Sequence, residues 1–212
     1  MTTTIDEVGW DAEPGGPDPR TVPENDGERR LVARLRAREG AALEELYVAY
    51  RKPIFGFLVR LARDRHVAED LFQNTWVKVS RSVARLREDT ELRSWIFTVA
   101  RNEFRSYRRW QVVDVTGLFL FHRERDEGGC ESNDGTALAG IERGLAEIGA
   151  SDREVLLLVS AEGMDPQEAA KVLGISHAAL RQRLGRARAR LKEAMSKLEG
   201  EPAPGRAWAR EP

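Results

Sequence analysis

Apolar residues recur at helical spacing over two long parts of this chain, residues 29 to 110 and residues 135 to 198. In the segment ELRSWIFTVARNEFRSYRRW, the apolar positions follow the i, i+3, i+4, i+7, i+8 spacing of one helix face: Leu92, Trp95, Ile96, Val99 and Ala100. The segments LEELYVAYRKPIFGFLVRLARD and HVAEDLFQNTWVKVSRSV are also helical in pattern, with Pro53 marking a kink or a restart in the first. The chain is therefore predicted to be all-α, with a compact helical domain over the first of these parts.

Helix-capping residues divide the second part into short helices. Ser151 and Glu154 have the spacing of a capping box, in which a hydroxyl and a carboxylate satisfy free backbone N–H groups at a helix start. In DPQEAAKVLG, Asp165 occupies the cap position, a proline follows at the first helical position, and Gly174 ends the helix. Ser176 then caps a longer helix. A short helix, a three-residue turn and a longer helix form a helix-turn-helix, so this part is predicted to be a second small domain.

The last predicted helix separates apolar and basic side chains around its axis. On a wheel of about 100° per residue, one side carries the core stripe: Leu180, Leu184, Ala187, Leu191 and Leu198. The opposite side carries small residues and one amide: Ala178, Gln182, Gly185 and Ala189. Five arginines fall within residues 181 to 190, and residues 177 to 192 contain no acidic side chain. A solvated face usually mixes both signs of charge, so this helix is predicted to bind DNA, with Gln182 reaching base edges and arginines reaching phosphate or guanine.

Three segments lack the composition of a packed domain. Residues 1 to 28 contain four prolines and eight acidic residues with few apolar groups, which is typical of a disordered tail. Residues 111 to 134 end in glycine, serine, asparagine and aspartate and are predicted to be a flexible linker between the two domains. The GLFLF sequence within this linker is either a local hydrophobic anchor or a short docking segment. Residues 199 to 212 are predicted to be a second disordered tail.

The formal net charge of the whole chain is only −1, but charge alternates strongly along it. The formal charge is −7 for residues 1 to 28, +9 for 29 to 110, −8 for 111 to 180 and +5 for 181 to 212. Clustered positive charge of this kind suits a polyanion such as nucleic acid. The acidic segments that lie between and before the basic ones are candidates to screen the basic faces.

Composition excludes several classes of protein. No stretch approaches the ~20 apolar residues of a membrane span, and the acidic N-terminus lacks the apolar region of a secretory signal, so a cytoplasmic protein is expected. A single cysteine, Cys130, and three scattered histidines provide neither a disulfide framework nor a metal-ligand spacing. The sequence contains no phosphate-binding glycine loop and no nucleophile with a base, so neither catalysis nor a bound cofactor is expected.

Three segments in this order resemble bacterial RNA polymerase sigma factors of the extracytoplasmic-function group, within the sigma-70 family: AEDLFQNTWVKV, RSWIFTVARNEFRSYRRW and SDREVLLLVSAEGMDPQEAAKVLGISHAALRQRLGRARARL. The resemblance covers about residues 30 to 110 and 136 to 195. It implies a first domain, similar to sigma region 2, that binds the polymerase core and the −10 promoter element. It also implies a second domain, similar to sigma region 4, that binds the −35 element. Relatives are commonly held inactive by an anti-sigma protein, which is therefore a further expected partner.

The resemblance assigns residues of the first domain to two surfaces. Asp70, Gln73 and Asn74 share one helix face by their spacing and match positions that dock on a coiled coil of the largest polymerase subunit. Without the resemblance, such residues fit an ordinary solvated face. The expected −10 surface is a basic helix face that holds a separated DNA strand: Arg101, Asn102, Arg105, Arg108 and Arg109. The asparagine matches a position beside a pocket for an unstacked base.

The last helix supplies the expected −35 contacts by matching position: Arg181, Gln182, Arg183, Arg186 and Arg188. Of these, Arg188 is expected to contact phosphate or a neighbouring helix, and Gly185 departs from the bulkier residue of many relatives, which leaves the base preference open. The acidic linker is a candidate to follow the nucleic-acid channel of the polymerase. The implied function is that of an alternative sigma factor. The alternative is an autonomous helix-turn-helix regulator of transcription, which would leave the core-binding face of the first domain unexplained.

Overall fold

The computed structural model describes residues 25 to 116 and 137 to 200, and the regular elements in these ranges are all helical. The first domain is formed by four helices: α1 (Asn25–Arg36), α2 (Gly40–Ala62), α3 (Arg65–Ser82) and α4 (Leu92–Thr116). The second domain is formed by α5 (Ala137–Glu147), α6 (Ala150–Leu156), α7 (Pro166–Leu173) and α8 (His177–Gly200). A 3₁₀ turn, Val83–Arg85, follows α3, and a π-helical turn, Leu157–Ala161, continues α6. The prediction of an all-α fold with two helical domains is confirmed.

Most of the two predicted tails and of the predicted linker, including the GLFLF sequence and Cys130, lies outside the described residues. At the edges of the described ranges, α1 begins at Asn25, inside the predicted tail, and α4 continues into the predicted linker as far as Thr116. A carboxylate oxygen of Glu28 accepts a hydrogen bond from the backbone N–H of Leu92, at 2.7 Å. The last acidic residue of the predicted tail therefore satisfies a free backbone donor at the start of α4.

The first domain packs α2, α3 and α4 around a core of aliphatic and aromatic side chains. The rings of Phe57 and Phe97 meet edge to face, with centroids 5.4 Å apart. The helix α2 is continuous through Pro53, so the predicted restart at this proline is wrong. Burial of the face that follows it, including Ile54 and Leu61, holds the helix together despite the missing backbone donor.

The helix-turn-helix of the second domain is formed by α7 and α8, and its predicted caps are confirmed. The Asp165 carboxylate accepts hydrogen bonds from the backbone N–H groups of Gln167, at 2.7 Å, and Glu168, at 2.9 Å. Gly174 ends α7 with a φ of +64°, a left-handed conformation that costs glycine little. The Ser176 hydroxyl accepts a hydrogen bond from the backbone N–H of the third residue after it. These contacts set the angle at which α8 leaves the turn.

The predicted capping box of α6 is wrong. The helix begins at Ala150, with Gly149 at the cap position and without a side-chain cap. Glu154 is instead buried, because its carboxylate faces the first domain rather than the start of its own helix. None of the helices in the described ranges is both long enough and apolar enough to span a membrane.

Candidate nucleic-acid interface

The N-terminal half of α8 has one buried side and one exposed basic side, as the helical wheel predicts. Leu180 and Ala187 are fully buried and Leu184 is 8% exposed, so these three residues fix the helix against the second domain. Four of the predicted −35 residues are exposed: Arg181, Gln182, Arg186 and Arg188. The fifth, Arg183, is half-buried. The exposed guanidinium groups are thus available to phosphates or base edges.

The centre of the exposed face of α8 is flat. Ala178, Gly185 and Ala189 are exposed, and a methyl group added to Gly185 would have no neighbouring heavy atom within 4 Å. The major groove of B-DNA is about 12 Å wide and admits an α-helix. Small residues around Gln182 allow the helix backbone to approach the base edges closely, with the arginines placed to either side.

Arg190, the fifth arginine of this helix, has a different role. Its guanidinium pairs with the carboxylate of Asp152 in α6. The Asp152 side chain is only 9% exposed, so the pair joins α8 to the interior of the second domain. Arg190 is not among the predicted −35 contacts. Its position at the edge of the apolar stripe did not by itself indicate this pairing, because Arg181, Arg183 and Arg188 also border the stripe.

The basic face of α4 is only partly open. Asn102, Arg105, Arg108 and Arg109 are exposed, as predicted for a surface that holds DNA. Arg101, in contrast, is 7% exposed, so the prediction that it lies on the open face is wrong. Its guanidinium is buried because it contacts a carboxylate of the second domain. Helical periodicity within one domain does not reveal this contact, because its partner, Glu154, lies in the other domain.

The predicted core-binding residues lie together on α3. Asp70, Gln73 and Asn74 are all exposed. Two of them, Asp70 and Asn74, line one wall of a groove of about 400 Å³ between α3 and α4. The opposite wall includes Tyr107 and Trp110, and Trp110 is 75% exposed. The apolar spacing of α4 alone does not show whether this tryptophan lies in the core or on the surface.

The groove between α3 and α4 has an acidic character. Burial raises the pKa of the Tyr107 phenol, and the nearby carboxylates of Asp64 and Asp70 raise it further. The Glu103 carboxylate on the α4 side is buried and pairs with the ammonium group of Lys78 on α3. Negative charge at this position disfavours a phosphate backbone and favours a protein partner with basic side chains. In the part of the chain that the structure describes, no group of three or more His, Cys, Asp or Glu residues could hold a metal ion.

Comparison with sequence families gives one match in each domain. Residues 46–112 match the family described as Sigma-70 region 2, which spans most of α2, α3 and α4. Residues 140–191 match the family described as Sigma-70, region 4, which includes the helix-turn-helix. The two matches therefore coincide with the two helical domains and follow the chain in the order of their region numbers.

Individual relatives agree with these matches. The chain is 31% identical to the RNA polymerase sigma factor CarQ of Myxococcus xanthus, over 79% of this chain and 98% of the relative. It is 30% identical to the ECF RNA polymerase sigma factor SigM of Bacillus subtilis, over 71% of this chain and 93% of the relative. Among solved structures, it resembles the sigma factor RpoE of Bartonella quintana, in complex with the anti-sigma factor NepR. That match has a TM-score of 0.59 and 26% identity, and covers 72% of this chain and 96% of the other.

Proposed function

This chain belongs to the extracytoplasmic-function group of RNA polymerase sigma factors, in the sigma-70 family, and on that premise we propose the roles of its surfaces. It is an alternative sigma factor, which binds RNA polymerase core and directs initiation at promoters through their −10 and −35 elements. The observation that supports this role most is the presence in one chain of a region 2 domain followed by a region 4 domain with an exposed basic helix. We propose that RNA synthesis itself is performed by the polymerase, with no catalytic residue from this chain.

The core polymerase binds to the face of α3 that carries Asp70, Gln73 and Asn74. These side chains are exposed and lie at the mouth of the acidic groove between α3 and α4. A coiled coil with basic side chains complements that charge. Trp110, which is exposed on α4, extends this binding surface onto that helix. Exposed tryptophans frequently supply much of the free energy of binding at protein interfaces.

The −10 element binds along the basic face of α4. Arg105, Arg108 and Arg109 neutralise phosphates of the separated strand, and Asn102 lies among them with an amide that can pair with an unstacked base. Arg101 joins this surface only when the contact that buries it is released. The two kinds of contact can be distinguished by experiment. Phosphate contacts determine the affinity and its salt dependence, whereas base contacts determine the sequence preference.

The −35 element binds to α8, which enters the major groove with its small residues towards the bases. Gln182 contacts base edges, and the arginines at positions 181, 183, 186 and 188 contact phosphate or guanine. The buried face of α8 is packed against the second domain through Leu180 and Ala187, and the ion pair between Arg190 and Asp152 adds a further contact. Its rigidity favours precise readout of the groove.

An anti-sigma factor regulates this protein. The solved relative RpoE is described in complex with the anti-sigma factor NepR, and the structure of CnrH, which is 24% identical with a TM-score of 0.62, is described in complex with the cytosolic domain of CnrY. We place the protein in the cytoplasm, where the polymerase and the chromosome are found.

The test is to reconstitute the holoenzyme from purified core polymerase and this chain, and to sequence the genomic fragments that it retains. We expect fragments that share two elements separated by a constant spacing. Asp70→Ala and Asn74→Ala should weaken holoenzyme assembly. A matched control is Glu45→Ala, which removes an exposed carboxylate paired with Arg34 elsewhere in the same domain. Retention of fragments by the chain alone, with no dependence on core polymerase, would contradict the proposed function.

A further inference from the structure

The groove between α3 and α4 has an apolar part that is open to solvent. Apolar and aromatic side chains from both helices line it: Val67, Leu71, Tyr107 and Trp110. Trp110 is 75% exposed, more than any other exposed large apolar residue in the described ranges. Asp70 and Asn74 line the same groove. A large apolar side chain at the rim of a groove is typical of a surface that binds another segment or molecule.

The GLFLF sequence, residues 117 to 121, begins directly after the described end of α4 at Thr116. Four large apolar side chains follow one another in it, within a segment that is otherwise mostly polar. A run of this kind in a linker indicates contact with another apolar surface, because its exposure to water is unfavourable. Trp110 lies only about 9 Å away along the axis of α4, at ~1.5 Å per residue. It is therefore an apolar surface that this run can reach.

The length of the run fits the distance back along α4. Gly117 occupies a position where glycine commonly ends a helix and reverses the direction of the chain. From Thr116 back to Tyr107, the helix measures about 14 Å. Residues 118 to 121 span about 13 Å when they are extended, at ~3.3 Å per residue. After a reversal at Gly117, the apolar run thus extends over Trp110 as far as Tyr107.

The alternation of side chains in an extended strand matches the order of apolar and acidic groups along the groove. Phe119, Phe121 and Arg123 are two residues apart, so they lie on the same face of such a strand. Arg123 comes level with Glu103, about 20 Å from the end of α4. The aromatic side chains therefore precede the arginine in the direction in which the aromatic lining of the groove gives way to its carboxylates.

The acidic groups of the groove complement this arginine. The carboxylates of Asp64 and Asp70 lie close enough to Tyr107 to raise the pKa of its phenol further. Within the described part of the chain, Asp70 has no ion pair. An arginine placed beside Asp70 therefore gains a partner without displacing another cation.

We propose that the GLFLF sequence and Arg123 dock in the groove between α3 and α4 of the same chain, with Phe119 and Phe121 against Trp110 and Tyr107. The docked segment covers Asp70 and Asn74, so it competes with the core polymerase for them. This consequence rests on the proposed function, because it uses the assignment of these residues to core binding. The docking itself does not depend on that assignment.

The test follows Trp110 in the full chain without polymerase, by ¹⁹F NMR after incorporation of 5-fluorotryptophan. The chain contains five tryptophans, and the Trp110 signal is the one lost in Trp110→Phe. Phe119→Ser combined with Phe121→Ser should shift this signal and increase its solvent isotope effect, because the indole becomes more exposed. The matched control is Leu118→Ser combined with Leu120→Ser, which changes the opposite face of the strand and should leave the signal in place. None of these four positions lies in the described helices.

The charge at position 123 provides a second test. Arg123→Glu should move the Trp110 signal in the same direction as the phenylalanine substitutions, because it places like charges together at Asp70. Arg123→Lys should not move it. A Trp110 signal that the phenylalanine pair leaves unchanged, or that both pairs move equally, would overturn the proposal. A native signal that depends on protein concentration would also overturn it, because the segment would then dock on a second copy of the chain.

Competition is measured by equilibrium titration with purified core polymerase. The phenylalanine double variant should bind about three to ten times more tightly than the native chain, as expected if the undocked form is about 10 to 30% of the native population. Unchanged affinity, with a displaced Trp110 signal, would refute the competition. Failure of the proposed function would appear differently, as the absence of core binding in the native chain and every variant, and would leave the ¹⁹F spectra unaffected.

Discussion

Single substitutions of the α8 arginines should change the salt dependence of DNA binding according to where each side chain lies. Arg181, Arg183, Arg186 and Arg188 have no ion pair with the described part of the chain, whereas Arg190 is paired with Asp152. Each contact between an arginine and a phosphate lowers the slope of log K against log salt concentration by about 0.9 for duplex DNA. The four unpaired arginines therefore predict a slope of about −3.6.

The predicted slope corresponds to a large and measurable effect. Raising the salt concentration from about 50 to about 200 mM should weaken binding about 150-fold for the native chain. Removal of one phosphate contact, for example by Arg186→Ala, should reduce this to about 40-fold. Fluorescence anisotropy of the full chain with a short duplex that carries the selected −35 element measures both values. Affinity at low salt should fall in the same variant.

Arg190→Ala is the internal control, because it removes the same side chain from the same helix. It should leave the slope unchanged and lower the free energy of unfolding by roughly 1 kcal/mol, a small value because 61% of the Arg190 side chain is exposed. The reasoning is refuted if Arg190→Ala reduces the magnitude of the slope as much as Arg186→Ala does. It is also refuted if no substitution at the four unpaired arginines changes the slope.

Substitutions at three other positions test separate parts of the account. Leu180→Ala, at a fully buried position, should lower the free energy of unfolding by about 2 to 5 kcal/mol in urea titrations, because it leaves a cavity under the buried face of α8. Trp110→Ala should weaken holoenzyme assembly by about 2 kcal/mol in equilibrium titrations with core polymerase, whereas Trp110→Phe should retain much of the affinity. Burial raises the pKa of Glu162 from 4.5 to about 7, against the effect of nearby arginines, so protonation favours the folded chain. The free energy of unfolding should therefore decrease as pH rises from 4.5 to about 7, and Glu162→Gln should remove this dependence.

Features set by neighbouring residues could be predicted from the sequence. Asp165, Gly174 and Ser176 cap helices through contacts within a few residues of themselves, and the structure has each of these caps. The apolar stripe of α8 was also predictable, because its helical periodicity indicates which face packs against the domain. The predicted roles in binding of the exposed residues of α3, α4 and α8 stay predictions.

Features set by contacts between the domains could not be predicted in the same way. Arg101 has the spacing of an exposed basic face, and Glu154 has the spacing of a capping box, yet each is buried by the other across 53 residues of sequence. Likewise, α2 continues through Pro53 because tertiary burial outweighs the local cost of a proline. Local periodicity identifies which residues can lie on a face, but only the packed structure determines what covers that face.

Run-off transcription with purified core polymerase tests the central claim most directly. Templates are genomic fragments retained by the reconstituted holoenzyme, and the assay compares core alone, core with this chain, and core with the Asp70→Ala variant. The account predicts defined transcripts only when the chain is present, with reduced yield for the variant at limiting concentration. Tight promoter binding by the chain alone, with no transcript directed by core polymerase, would contradict the account and favour an autonomous helix-turn-helix regulator.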